Sequence, residues 1–310
     1  MLSLVSRKLF AFFLTCILAP FAIAAERAFD RAPRIAIISA YQPELTTLLA
    51  NVKGPKKDVA NGVEFTTGTL GGKAVVLFLS GISMTNAAMN TQLVLDRFNV
   101  THIVFSGIAG GANPALNVGD VVVAERWGQY LEIVAAREVS PEKFAIPGWM
   151  GAGTFANYGM MHPRPVGVRS KGRAKEEKKF WFEADPKLLA MARALGDVPL
   201  ADCDEKKVCL TTKPQLLVGG NGVSGQAFVD NAAFREYTFK TFRANVLDME
   251  TAATAMVAYA NGVPYIAFRS LSDLAGGAVG GKGENEIETF FKLAADNSAK
   301  VLMAFLAAWK

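Results

Sequence analysis

Histidine and cysteine are the scarcest reactive residues in this 310-residue chain, with two and three copies. His102 and His162 stand far apart with no cysteine beside them, so the sequence offers no His/Cys cluster at metal-ligand spacing, and no metal or other cofactor is expected. His102 falls inside an apolar run and reads as a packed residue. Charge of one sign is also in short supply. Lys and Arg total 33 against 28 Asp and Glu, a formal net charge of +5, which gives no reason to expect a nucleic-acid partner. No apolar run reaches the roughly 20 residues that a membrane-spanning helix needs. Internal repeats are absent, and Ser106-Gly-Ile-Ala-Gly-Gly111 lacks the full glycine spacing of a dinucleotide fingerprint.

What the chain does have begins with a leader. Arg7 and Lys8 precede an apolar run over residues 9–23 that ends in the small residues Ala22-Ile23-Ala24. This is the layout of a secretory signal peptide, with cleavage expected near Ala24-Ala25. An uncleaved anchor is disfavoured by the short run, and a lipoprotein signal at Cys16 by Thr15 before it and the apolar residues after it. Removing residues 1–24 takes away two bases and no acid, which lowers the charge from +5 to +3. The mature protein is then exported, periplasmic or secreted. Only Cys203 and Cys209 remain, and in an oxidising compartment two cysteines closing a short loop are expected to form a disulfide. The basic stretch over residues 169–179 is interrupted by Glu176 and Glu177 and reads as a solvated loop.

A mature chain of this length, about half apolar, can bury one large core, so residues 30–310 are taken as a single domain. The β-branched run at residues 34–39 leads into a helical pattern at residues 43–51. Strand-like runs at residues 63–70 and 73–79 flank Gly71-Gly72, a hairpin turn signal. A helix is expected over residues 83–99 and a buried strand over residues 101–105, followed by a glycine-rich loop over residues 106–111. Residues 127–183 lose periodicity and read as a long irregular insertion. Helices at residues 186–195, 230–241 and 250–260 and from residue 284 then alternate with strands at residues 215–219, 246–248 and 265–269. This alternation implies an α/β fold with a mostly parallel, twisted central sheet flanked by helices.

Ligands of open α/β sheets bind beyond the carboxyl ends of the strands. Glu44, Ser106 to Gly111, Asp248-Met249-Glu250 and Arg269 to Asp273 all follow strands. Each alone has an ordinary explanation, such as an acid at a helix start or a capped turn. Together they match a family. Ile35-Ala-Ile-Ile-Ser-Ala-Tyr-Gln-Pro-Glu44-Leu, Ser80-Gly-Ile82, Ser106-Gly-Ile-Ala-Gly-Gly111, Val118-Gly-Asp-Val-Val, Ser224-Gly-Gln-Ala-Phe228-Val229, Asp248-Met-Glu250 and Arg269-Ser-Leu-Ser-Asp273 occur in that order. The chain thereby resembles the nucleoside phosphorylase/nucleosidase family, and most closely the methylthioadenosine/S-adenosylhomocysteine nucleosidases. Phe228-Val-Asp-Asn-Ala-Ala, Ser272-Asp-Leu-Ala-Gly-Gly and the Cys203/Cys209 pair also resemble the plant bark and vegetative storage proteins.

The resemblance implies cleavage of the bond between a purine and ribose. Asp273 matches the general acid that protonates the leaving base, a role needing a pKa raised by burial, and Ser272 matches the residue that holds it. Glu250 would bind the ribose hydroxyls with Met249 packed on the sugar, Phe228 would stack on the base, and Val229 would meet its edge through the backbone. Ile82, Ala109 and Gly110 would line the pocket, although each apolar residue could equally be core. The matching phosphorylases carry Gly-Asp-Pro-x-Arg after the first strand, where this chain reads Ala40-Tyr-Gln-Pro-Glu44. A carboxylate there repels phosphate and can act as a base toward water, with Arg269 supporting the water site. Hydrolysis with water as cosubstrate is therefore expected. Phosphorolysis and a non-catalytic nucleoside-binding or storage role are the alternatives. Ile108 replaces a small hydroxyl residue of the typical nucleosidase, which bears on water binding. The insertion is expected to reshape the pocket around the sugar's 5′ substituent or to build a subunit contact. Family analogy implies a homodimer.

Overall fold

The computed structural model describes residues 28–151, 153–277 and 286–310. The expected signal peptide lies outside these residues, as does the expected start of the last helix at residue 284. Among the described residues no helix is long and apolar enough to cross a membrane.

Twelve described strands form one sheet: Asp30–Ser39 (β1), Lys53–Ala60 (β2), Val63–Leu70 (β3), Lys73–Leu79 (β4), Phe98–Gly111 (β5), Val121–Val123 (β6), Arg126–Gln129 (β7), Trp181–Glu183 (β8), Leu216–Val218 (β9), Asn221–Ser224 (β10), Ala244–Asp248 (β11) and Tyr265–Asp273 (β12). Their order is β8-β7-β10-β11-β5-β1-β4-β3-β2, with β12 joining β5 to β6 and β9 beside β6. At its centre β1 runs parallel to β4 and β5, and β12 runs parallel to β5. The edges formed by β2 with β3 and by β8 with β7 are antiparallel, so the sheet is mixed. Helices Gln42–Ala50 (α1), Met84–Arg97 (α2), Pro186–Arg193 (α3), Ala232–Phe242 (α4), Thr251–Asn261 (α5) and Ile287–Ala308 (α6) cover it. Ile37, Ile38, Val104, Phe105, Ile266 and Phe268 are fully buried within one core.

Two expectations change, and one strand that the sequence reading did not name is added. The glycine-rich residues 106–111 are not a loop but the continuation of β5, held on both sides by β12 and β11. Glycine here serves close packing rather than a turn. Strand β2, Lys-Gly-Pro-Lys-Lys-Asp-Val-Ala, carries no apolar alternation because it is an exposed edge, where Lys and Pro discourage further pairing. The segment at 127–183 is also more ordered than its sequence suggests. Ile133–Ala135 pairs with Met161–Pro163, Arg137–Ser140 with Lys143–Ala145, and Val166–Val168 with Glu177–Lys179.

Aromatic contacts supply the order that periodicity does not. Phe180 stacks on Phe242 with ring centroids 5.5 Å apart, and Phe155 packs on both Phe180 and Phe242. Trp127 is fully buried against Gly222, where a Cβ would sit 2.6 Å from the indole. The basic stretch is solvated as expected: Arg169, Lys171, Arg173, Lys175 and Lys178 are exposed. Cys203 and Cys209 are joined by a disulfide.

Candidate active site

The carboxyl ends of β1, β5, β11 and β12 open onto one cavity of about 300 Å³. Parallel register brings β1, β5 and β12 level, with Arg269 opposite Gly107 and Asp273 opposite Gly110, and β11 meets the end of β5 antiparallel, with Leu247 opposite Gly110. Every residue expected to touch substrate lines this cavity: Glu44, Ile82, Ala109, Gly110, Phe228, Val229, Met249, Glu250, Ser272 and Asp273. Arg269 is not among the lining residues. It lies fully buried behind the wall and reaches the site only through other side chains. Among the described residues, none of 127–183 lines this cavity.

Glu44 owes its place to the start of α1. Its carboxylate accepts hydrogen bonds from the amides of Ala40 at 2.6 Å, Tyr41 at 3.3 Å and, across the sheet, Ile108 at 2.8 Å. Burial pushes its pKa up, against the opposing pull of Arg269 and these amides. Arg269 stands at the centre of an acidic ring, 2.7 Å from Asp248, 3.2 Å from Glu250 and 3.7 Å from Glu44. Its Nε donates to the Thr251 hydroxyl at 2.8 Å, and its guanidinium lies 4.1 Å from the centre of the Phe105 ring. Gly107 makes this approach possible. A Cβ there would fall 2.3 Å from Arg269 Nη1 and 2.5 Å from Glu44 Oε1.

Two residues that carry no assigned role in the sequence reading prove central. Asp248 accepts hydrogen bonds from the Ser224 and Thr251 hydroxyls and from the amides of Glu250 at 3.2 Å and Thr251 at 3.1 Å, in addition to pairing with Arg269. It fixes the turn from which Glu250 projects. Its place beside Glu250 in a strand-end motif was the only available signal. Ser83 holds a positive φ of 83°, a strained conformation of a kind that clusters at functional sites. From there its amide donates to Glu250 at 2.8 Å. Burial and the neighbouring Asp248 and Glu44 carboxylates raise the pKa of Glu250 to about 7, although Arg269 and the Ser83 amide oppose the rise.

Asp273 closes the opposite side of the cavity. It is 2 % exposed and accepts hydrogen bonds from the Ser272 hydroxyl at 2.9 Å and the Ala275 amide at 2.8 Å. Burial raises its pKa, with Glu286 and Asp230 adding to the effect and the two hydrogen bonds opposing it. Ala109 and Val229 are buried in the walls, while Ile82 and Phe228 are about half exposed at the mouth, at 51 % and 55 %. The described lining residues include four acids and no Lys, Arg or His. Ile108 brings an isoleucine side chain to the wall beside Glu44, and its only polar contributions are the amide to Glu44 and the carbonyl that accepts from Arg269 at 3.2 Å.

A family model described as the phosphorylase superfamily matches residues 34–307. The chain is 29 % identical over 276 residues to a 5′-methylthioadenosine/S-adenosylhomocysteine nucleosidase of Geobacillus sp. (strain WCH70), covering 88 % of this chain and 98 % of the relative. The enzyme of the same name from Bacillus cereus (strain G9842) is 31 % identical over 248 residues, which is 78 % of this chain and 87 % of that one. The structure resembles that of a nucleosidase of this name from S. pneumoniae, solved with a transition-state inhibitor. The TM-score is 0.64 at 26 % identity, covering 89 % of this chain and 99 % of the other.

Proposed function

The chain belongs to the phosphorylase superfamily, and from that membership we propose that it hydrolyses the N-glycosidic bond of a purine nucleoside. The observation that carries the reading is a cavity with carboxylates on opposite walls and no cation among its described lining residues. A phosphorylase must hold a phosphate dianion, which a carboxylate at Glu44 would repel and for which the described lining offers no cation. A hydrolase needs only water and a base.

Asp273, kept protonated by burial, donates its proton to N7 of the base as the C1′–N9 bond breaks and its electron pair leaves with the purine. Glu250 accepts hydrogen bonds from the ribose hydroxyls, where a partial negative charge favours the cationic sugar of the transition state. Glu44 removes a proton from the water attacking C1′. Arg269 touches no substrate; it offsets the mutual repulsion of Glu44, Asp248 and Glu250 and holds them in place. The products are free base and free sugar.

Ile108 favours a second reading. With isoleucine at position 108 no hydroxyl from that strand meets the water, which is then held less firmly, as suits a chain that binds nucleosides without turnover. In either case residues 1–24 act as a cleaved signal peptide for export to the periplasm or beyond, a proposal supported by the Cys203–Cys209 disulfide. A homodimer would cover the exposed Ile82 and Phe228 at the cavity mouth.

Purified protein is incubated with methylthioadenosine, S-adenosylhomocysteine, adenosine and inosine, with and without phosphate, and released base is measured. Base release at the same rate in both conditions is expected. Release only with phosphate would overturn hydrolysis, and nucleoside binding without release would establish the second reading.

A further inference from the structure

Asp273 ends β12, and the chain turns sharply after it. Ala275, Gly276 and Gly277 hold positive φ in succession, at 51°, 96° and 64°, and for an alanine that conformation carries a steric cost. The Gly277 amide closes the turn on the Leu274 carbonyl at 3.1 Å. The Ala275 amide inside it is the donor to Asp273 at 2.8 Å. Whatever fastens this turn therefore fixes the carboxyl beside it.

The start of α4 does the fastening. Asn231 accepts from the Phe234 amide at 2.9 Å as the helix cap, and its own amide donates to the Ala275 carbonyl at 3.2 Å. Gly276 lies so close that a Cβ would fall 2.3 Å from the Asn231 nitrogen. About one helical turn further on, the buried Arg235 donates to the Gly277 carbonyl at 3.1 Å and to the Asn113 carbonyl at 3.4 Å. A guanidinium is costly to bury, and burial pulls the Arg235 pKa down while Glu286 and Asp273 pull it back up. On the other side of the turn, Glu286 stands just before α6 and accepts from the Leu274 amide at 3.4 Å.

Neither Arg235 nor Glu286 is among the described residues that line the cavity, so both act through Asp273. Their charges act in opposite directions. Burial, Glu286 and Asp230 favour the protonated acid, whereas Arg235 attracts the ionised one. The remaining acids of the site, Glu44, Asp248 and Glu250, face Arg269 instead.

We propose that Arg235 is a positioning residue for the general acid: it fastens the turn after Asp273 to α4, opposite Glu286 on the α6 side, and so fixes the carboxyl against the base. The role of Asp273 as acid is that of the hydrolase reading, on which this proposal rests.

Arg235→Met and Glu286→Gln are compared with the unaltered protein in two measurements. One is the pH profile of kcat/KM for base release from whichever of the four nucleosides is cleaved fastest, whose alkaline limb reports the essential acid of the free enzyme. The other is a ¹³C NMR titration of the aspartate carboxyls, in which Asp273 is identified by its loss in Asp273→Asn. Arg235→Met removes a cation and loosens the Ala275 amide, and both changes favour the protonated acid. The limb and the carboxyl titration should therefore move up by about one pH unit, the low end of what one neighbouring charge does. Plateau kcat/KM should fall by about 10–100-fold, part of what a general acid contributes. Glu286→Gln keeps an acceptor for Leu274 but removes the charge, so both titrations should move down by about one unit. A merely structural role would lower the melting temperature and leave both titrations in place. That result, or shifts of the same sign in the two variants, would overturn the proposal. If Arg235→Met does not fold, an unmoved Asp273 titration in Glu286→Gln overturns it equally. If no nucleoside is cleaved the hydrolase reading fails, while the carboxyl titrations still decide whether Arg235 and Glu286 govern Asp273.

Discussion

Replacing Arg269 with methionine tests whether one guanidinium holds the acidic site together. Met keeps the length and apolar stem that pack near Phe105 but removes the charge lying 2.7, 3.2 and 3.7 Å from Asp248, Glu250 and Glu44. All four side chains are buried. Removing one partner of a buried ion pair costs about 3–5 kcal/mol, because it leaves an uncompensated charge behind. At about 2–4 °C per kcal/mol for a chain of this size, the melting temperature should fall by roughly 6–20 °C. The loss should also depend on pH. Burial already raises Glu250 from 4.5 to about 7, and Arg269 is the strongest opposing influence, so its removal drives the folded-state pKa higher still. A carboxyl with a folded pKa above its unfolded value contributes its full stability below the unfolded pKa and loses it as pH rises through the folded one. For Glu250 that window runs from about 4.5 to 7 in the unaltered protein and further upward in the variant. Glu44, raised in the same direction, adds to the effect. Thermal melts of both proteins near pH 5 and pH 8.5 should therefore show a small deficit in acid and the full deficit in base. An equal deficit at both pH values, or one below about 1 kcal/mol, would refute the view that Arg269 neutralises these carboxylates.

Two further substitutions probe the site from either side. Asp273→Asn should reduce base release by about 10²–10⁴-fold, the usual contribution of a general acid. Its melting temperature should be unchanged or higher, since a buried carboxyl with a raised pKa is replaced by a neutral group that keeps the Ala275 contact; an active variant would remove Asp273 from the acid role. Gly107→Ala should destabilise the protein by about 1–3 kcal/mol through overpacking, and activity should fall with it, because the new Cβ collides with the guanidinium and with Glu44. Denaturant melts together with the base-release assay would check this, and a fully active, fully stable variant would show that the site can open there without consequence.

The parallel centre of the fold was legible because its strands are buried on both faces and read as short apolar runs, as in residues 35–38 and 103–105. The carboxylates were legible because they follow those strands. The edge strand Lys53–Ala60 was not, since a strand that contacts water on both faces carries no apolar pattern. The extension of β5 through residues 106–111 was hidden by glycines that normally signal a loop; in the fold they let Arg269 and Glu44 approach the backbone. The segment at 127–183 looked irregular because its order comes from aromatic contacts with α4, which no local pattern records.

By itself the chain determined which acids stand at the ends of strands, for that depends on neighbours within a few residues. The electrostatic surroundings of those acids were decided only by the tertiary structure. Glu44, Asp248, Glu250 and Asp273 are chemically alike, yet register across the sheet sets Asp248 and Glu250 against Arg269, while among the described residues Asp273 accepts hydrogen bonds from a hydroxyl and an amide. Their protonation depends on which charges lie within a few ångströms after folding, and those charges come from residues as far apart in the chain as Glu44 and Arg269.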